Sequence, residues 1–230
     1  VTDASGNSST TSVTVTVVDN VAPTVLTKNA TVYLDANGNA SVTVNDIDNG
    51  SYDNCSLSLS LDPVSFDCGD LGQQIVTLTG TDASGNTASA TATVTVLDAV
   101  APVITNVPSD IVYQLTDGNC TGNVSWIVPN ANDNCSVNLT SSHQPGSVFP
   151  VGTTEVTYTA TDASGNQSTA SFNVTVVATP ISITLDPQVY NQIENYNISC
   201  NGAADGEITA TVEGGCGSYT YSWSTGATGT

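Results

Sequence analysis

Thr81-Asp-Ala-Ser-Gly-Asn-Thr-Ala-Ser-Ala-Thr-Ala-Thr-Val-Thr-Val96 opens on turn-forming residues and continues as a strict alternation. Ala88, Ala90, Ala92, Val94 and Val96 lie on one side of the chain and hydroxyl side chains on the other. An apolar period of two describes a half-buried strand. The hexapeptide Thr-Asp-Ala-Ser-Gly-Asn also begins at Thr2 and Thr161, offsets of 79 residues (from 2 to 81) and 80 (from 81 to 161). Two further signatures keep that spacing: Asp-Asn-Cys at Asp53 to Cys55 and Asp133 to Cys135, and Asp-x-Val-Ala-Pro at Asp19 to Pro23 and Asp98 to Pro102. A period near 80 exceeds the ~20–50 residues of a solenoid unit and falls within the ~50–200 of an independent domain. Tandem domains, each with its own core, are expected.

Working outward, residues 1–20 read as the closing hairpin of a truncated unit, with Val13, Val15 and Val17 alternating with Thr14 and Thr16. Residues 21–99 and 100–178 read as complete units, the second ending on Phe172, Val174 and Val176. The strand before each final turn recurs as Val76-Leu78-Gly80 and Val156-Tyr158-Ala160. No segment carries helical periodicity, so the fold class is all-β: tandem immunoglobulin-like β-sandwich domains in an elongated array. After Thr179 the pattern changes, and residues 179–230 read as a different, truncated β module. Asp35-Ala-Asn-Gly-Asn39 starts like a calcium loop, but its glycine is misplaced, and a hairpin turn at Asn37-Gly38 is the expectation.

The formal charge is −20, from 21 acidic residues against one basic residue. Nucleic acid is excluded as a partner, because such binders neutralise phosphates with Lys and Arg, and anionic membranes are disfavoured likewise. No apolar run reaches the ~18 residues of a membrane span. Six cysteines without a Cys-x-x-Cys point to disulfides in an oxidising, extracellular setting. Cys55 and Cys135 are equivalent by offset, and local pairs Cys55–Cys68, Cys120–Cys135 and Cys200–Cys216 are expected. The chain opens inside a unit and is read as a fragment of something longer.

An enzyme is not expected. His143, the only imidazole, stands in a polar loop, and recurrent Asp positions favour architecture over a single active site. In an immunoglobulin-like sandwich the linker, the loop between the second and third strands and the last turn share one end. Asp19, Asp46, Asp48, Asp53, Asp82 and Asn86 would meet there in the first unit. Asp98, Asn130, Asn132, Asp133, Asp162 and Asn166 would meet in the second. Such hard oxygen donors suit Ca²⁺. The alternative is that each Asp simply bonds its own turn backbone, with Gly85 and Gly165 supplying positive φ. The third junction has Ala178 where the others have Asp19 and Asp98, so calcium is expected at two junctions and not the third. Trp126 is assigned to the core, while Tyr219, Tyr221 and Trp223 fit a core face or an aromatic binding strip.

The order of Ala-Pro, Asp-Asn-Cys, Val151-Gly-Thr-Thr-Glu-Val-Thr-Tyr158 and Thr-Asp-Ala-Ser-Gly-Asn resembles the hyalin repeat, an immunoglobulin-like extracellular module linked to adhesion. The resemblance covers 100–178 closely and 21–99 with departures, Ala40 standing where the family's first cysteine falls. Ser199-Cys-Asn-Gly202 and Tyr219-x-Tyr-x-Trp223 resemble an SprB-type repeat of the large adhesins of gliding bacteria. The resemblance implies a stalk segment of an extracellular bacterial adhesin serving adhesion or gliding, partnered by neighbouring repeats and by surface polysaccharide or surface proteins. Competing expectations are a carbohydrate- or protein-binding module and the non-catalytic spacer of a secreted hydrolase.

Overall fold

The computed structural model describes residues 1–116, 118–187, 207–223 and 228–229, in two compact units, Val1–Val100 and Ala101–Thr230. The first holds β1 (Ala30–Tyr33), β2 (Asn39–Ser41), a one-turn helix at Val44–Ile47, β3 (Ser58–Asp62), β4 (Ser65–Asp67), β5 (Gly72–Thr81) and β6 (Thr87–Leu97). One sheet runs β1-β6-β5-β3, and β2 pairs with β4. The β5–β6 hairpin is the spine of the unit, its register running from Gly72↔Val96 to Thr81↔Thr87. β1 joins β6 in parallel. Leu34, Val42, Ile47, Phe66, Val76, Leu78, Ala92, Val94 and Val96 form the core. The alternation read in Ala92-Val94-Val96 is thus the buried face of β6.

The second unit repeats the plan. Its strands are β7 (Val103–Thr105), β8 (Ile111–Gln114), β9 (Thr121–Val124), β10 (Asn130–Asn132), β11 (Val137–Ser141), β12 (Ser147–Pro150), β13 (Gly152–Asp162) and β14 (Gln167–Val177). They form the sheet β11-β13-β14-β8 and the pairs β10-β7 and β12-β9. Phe149, Val156, Tyr158, Phe172, Val174 and Val176 fill its core. Trp126 packs there as expected, 5.3 Å from Phe172 in an edge-to-face pair and 6.0 Å from Phe149. Its indole N–H donates to Tyr158 Oη at 2.7 Å. Beyond β14 come β15 (Thr179–Pro187) and β16 (Ile208–Gly215), an antiparallel ribbon.

Three expectations change. The first concerns residues 1–20: the hairpin turn at Asp3–Asn7 forms and is closed by the Thr2↔Ser8 bridge and the Val1–Ser9 bonds, but the pairing stops there, and Val13, Val15 and Val17 stay at 77–92% exposure. In a whole unit the corresponding strand is held on both sides, β6 by β5 and β1. Alternation alone supplies neither partner. The second concerns Asn37-Gly38. Gly38 turns at φ +76°, and Asp35 Oδ1 accepts from the N–H groups of Asn37 and Asn39. The flanking strands, however, pair elsewhere, β1 with β6 and β2 with β4, so the turn carries the chain from one sheet to the other.

The third concerns the cysteines. Cys120 is bonded to Cys216, with a Cα–Cα distance of 5.0 Å. Cys68 and Cys135 are disulfide-bonded, and Cys55 is an exposed free thiol. None of the local pairs Cys55–Cys68, Cys120–Cys135 and Cys200–Cys216 therefore forms; Cys200 itself lies outside the described residues. The long hairpins give the reason. Cys120 accepts the N–H of Val151, beside the first residue of β13, whereas Cys135 stands beside Val137, which faces Asp162 at that strand's far end. Eleven residues at ~3.3 Å each put about 36 Å between the two levels, and a disulfide needs Cα atoms within ~7 Å. Cys55 and Cys68 are separated likewise: Ser58 faces Thr81 at one end of β5, and Cys68 lies just before Gly72 at the other.

The Trp126–Tyr158 bond ties a loop to the central strand of the second unit. Tyr158→Phe should cost about 1 kcal/mol by urea denaturation, since the indole N–H loses its partner inside the core. Made on a Trp126→Phe background, the same change should cost clearly less. Equal costs would show that the bond contributes nothing.

Candidate metal centre

Asp82 ends β5 and holds the turn that follows. Its Oδ1 accepts the N–H of Asn86 at 2.8 Å and its Oδ2 accepts Asn86 Nδ2 at 2.7 Å, while Gly85 takes φ +88°. Asp162 and Asn166 repeat these distances in the second unit, with Gly165 at φ +89°. Asp3 and Asn7 repeat the pattern at 2.8 Å with no unit around them. The self-bonded turn is therefore a local property of Asp-Ala-Ser-Gly-Asn, and the carboxylate's further company comes from the fold.

In the first unit that company is Asp19 and Asp53. One carboxylate oxygen from each of Asp19, Asp53 and Asp82 lies within 4.8 Å of the other two. Asn86 fastens the linker to the turn, because its Nδ2 also donates to the carbonyls of Asp19 at 3.1 Å and Val21 at 3.4 Å. Asp19 Oδ1 accepts the N–H of Val21, and Asp53 Oδ2 accepts the N–H of Cys55. Their other oxygens, Asp19 Oδ2 and Asp53 Oδ1, are shut off from solvent and make no hydrogen bond. The Val21 N–H, ahead of the neighbouring Cys55 thiol and Asn54 amide, holds Asp19 below the usual carboxylate range. It is ionised at neutral pH. Asp19 in turn pushes the Cys55 thiol up, first by hydrogen bonding and then by charge, with Asp53 and Asp82 adding to it. In the second unit Asp133 and Asp162 take the corresponding places, and Asp133 Oδ1 is likewise enclosed and unbonded.

The remaining expected ligands go elsewhere. Asp46 caps the one-turn helix, its Oδ2 accepting Thr43 N–H at 2.8 Å and Thr43 Oγ1 at 2.6 Å. Asp48 Oδ1 accepts the N–H of Ser51. Both feel Lys28, the only basic side chain in the sequence. Local capping thus absorbs two carboxylates that loop membership alone had put at the centre. Asn86 and Asn166 turn their amide nitrogens to the aspartates and orient them. Asn130 and Asn132 are ladder residues opposite Thr105 and Val103. Cys55 was read only as half of a disulfide, yet its place two residues after Asp53 puts its thiol beside the cluster.

The centre is chemically simple: three carboxylates, enclosed oxygens on Asp19 and Asp53, the Cys55 thiol beside Asp19, and no basic side chain. Hard oxygen donors collected from a linker and two loops fit a divalent ion of the Ca²⁺ type, with water and carbonyls free to complete six to eight ligands. One thiol, that of Cys55, stands beside the set, short of the several sulfur or imidazole ligands of a Zn²⁺ site.

The HYR domain family matches residues 97–176, and the SprB repeat family matches residues 196–228. Hyalin of Lytechinus variegatus is 37% identical over 186 residues, 76% of this chain and 35% of that protein. Hyalin of Strongylocentrotus purpuratus is 34% identical over 172 residues, 72% of this chain and 14% of that protein. The serine-rich adhesin for platelets of Staphylococcus aureus is 30% identical over 197 residues, 74% of this chain and 8% of that protein. The chain thus spans about a third or less of these relatives' lengths.

Acid should weaken the fold. Asp19, Asp35, Asp46 and Asp48 are all held below their ordinary value of 3.8, chiefly by hydrogen bonds. A depressed folded value contributes stability above the unfolded value and loses it as pH falls through the folded one. The urea midpoint without metal should therefore drop between pH 5 and pH 2.5. A flat or rising midpoint would mean that relief of carboxylate repulsion outweighs those bonds.

Residues 97–176 match the HYR domain family, the preceding repeat carries the same sequence motifs, and residues 196–228 match the SprB repeat family.

Proposed function

We propose that this chain is a length of an extracellular adhesion stalk, stiffened by calcium where a linker carboxylate meets the loops of its own repeat. The observation that carries it is the group Asp19, Asp53 and Asp82, whose oxygens converge within 4.8 Å while Asp19 Oδ2 and Asp53 Oδ1 have no hydrogen bond. Three like charges at that spacing repel. A divalent cation would convert the repulsion into a tie between residues far apart in sequence. Asp19 belongs to the connecting segment and the other two to loops, so ion binding would restrict how the chain runs into the repeat.

The kinship with hyalins and with an adhesin supports adhesion as the setting, and the SprB repeat supports a bacterial surface protein used in adhesion or gliding. The same kinship, with no second imidazole to join His143, favours a non-catalytic role. Among the described residues no helix is long and apolar enough to cross a membrane. The polar outer strand faces suit a rod held in water, with repeats of the same chain as its nearest partners and surface polysaccharide or surface proteins as further ones.

Calcium should raise the melting temperature relative to excess chelator, because a ligand taken up only by the folded state stabilises it, by about 2.7 kcal/mol at a hundredfold excess over Kd. Asp19→Asn keeps the oxygen that accepts from Val21 but removes the charge. It should lower calcium stoichiometry by one in calorimetric titration and leave binding at Asp133 and Asp162 in place. Identical melting with calcium and with chelator would remove the calcium reading while leaving the adhesion setting untouched.

A further inference from the structure

The disulfide Cys120–Cys216 joins the second HYR unit to the ribbon that follows it, across a sequence separation of 96 residues. It lies at the trailing rim of the unit, where β13 begins and β14 ends. Cys120 accepts the N–H of Val151 there, and Leu115 donates its N–H to the carbonyl of Val177. Gln114 Nε2 donates to the carbonyls of Val177 and Ala178, and Thr179 Oγ1 donates to the carbonyl of Leu115. The chain therefore passes from β14 into β15 already fastened to β8, and Cys216 closes the same rim from the end of β16. Cys68, itself disulfide-bonded, stands at the matching rim of the first unit: its Sγ lies 3.8 Å from the carbonyl of Gly38, the residue facing it there as Val151 faces Cys120.

We propose that Cys120–Cys216 is a load bypass, which takes residues 121–215 out of the path of tension pulled through the chain. Force arriving from the N-terminal side passes through β7 and β8 to Cys120, crosses the sulfur–sulfur bond, and leaves at Cys216. The hairpin β13–β14, the strands β9 to β12 and the ribbon β15–β16 all lie inside the covalent loop. Only residues 101–119 of the unit precede the bond, so with the separate disulfide of Cys135 removed they alone can be drawn out while Cys120–Cys216 holds. The core keeps its hydrogen-bond ladder at forces that would otherwise unzip it. This goes beyond the calcium reading and does not depend on it, since no carboxylate of either cluster takes part.

Single-molecule extension of the whole chain, tethered at both ends under non-oxidising, non-reducing buffer, tests the proposal. On a Cys135→Ser background, which removes the other disulfide that reaches into the loop, Cys216→Ser should lengthen the fully extended chain by about 33 nm, the length of the released segment at ~3.4 Å per residue. Cys120→Ser should give the same gain, and the double variant no more than either alone. A gain of only about 5 nm from Cys216→Ser would mean that its bond is the local Cys200–Cys216, and would overturn the proposal; no gain would overturn it equally. Mapping of peptides cut with pepsin at acid pH gives an independent answer that does not require the variants to fold. A peptide pair joined through Cys120 and Cys216 is expected, and Cys120 joined to Cys135 would refute the bypass.

Discussion

The long antiparallel hairpin in each repeat governs the rest of the molecule. In the first repeat it runs without interruption from Gly72↔Val96 to Thr81↔Thr87, and in the second from Gly152↔Val176 to Thr161↔Gln167. Its inner face supplies the centre of the core, and its outer face is the Thr-rich surface. Its closed end is clamped by an aspartate that accepts two bonds from the asparagine four residues on. Because the hairpin spans the unit, it also sorts the remaining residues by end. Everything near Asp82 or Asp162 belongs to the leading rim; everything near Gly72 or Gly152 belongs to the trailing rim.

That sorting explains what the sequence could and could not disclose. Period-two alternation identified β6 and β14 because each has one buried face, and the three copies of Thr-Asp-Ala-Ser-Gly-Asn located their turns. The carboxylate cluster was partly legible, since linker, loop and turn share an end in any sandwich of this topology. Asp46 and Asp48 were misplaced because loop membership says nothing about a helix cap at Thr43 or a turn at Ser51. The cysteines were the least legible of all. Cys120 and Cys135 are 15 residues apart in sequence yet occupy opposite rims, and no local pattern reveals that the strands between them carry the chain across the unit. Residues 9–18 make the complementary point: a strand pattern without its two neighbours yields no ladder.

The repeat also separates two kinds of fastening by end. The leading rim carries charge: converging carboxylates, in a chain with 21 acidic residues and one lysine. The trailing rim carries sulfur, Cys68 in one unit and Cys120 in the other, on facing positions of the same strand pairing. An ionic tie depends on the free concentration of the ion and is reversible within the lifetime of the fold. A disulfide in an oxidising setting responds to neither salt nor chelator.

The two fastenings also answer different loads. The proposed carboxylate–cation tie at the leading rim would resist bending of the segment that runs past it, because moving Asp19 away from Asp53 and Asp82 would pull a carboxylate off the shared ion. It adds little against axial pulling, since the ion bridges side chains on flexible bonds. The Cys120–Cys216 bond acts the other way, leaving rotation about the β14–β15 passage to Pro180 and to the Gln114 bonds while making axial extension of the enclosed segment impossible without breaking a covalent bond. Where Ala178 replaces the linker aspartate of the other junctions, Glu213 is the carboxylate that shares a hollow with Thr179 and Pro180, and the passage is closed by sulfur.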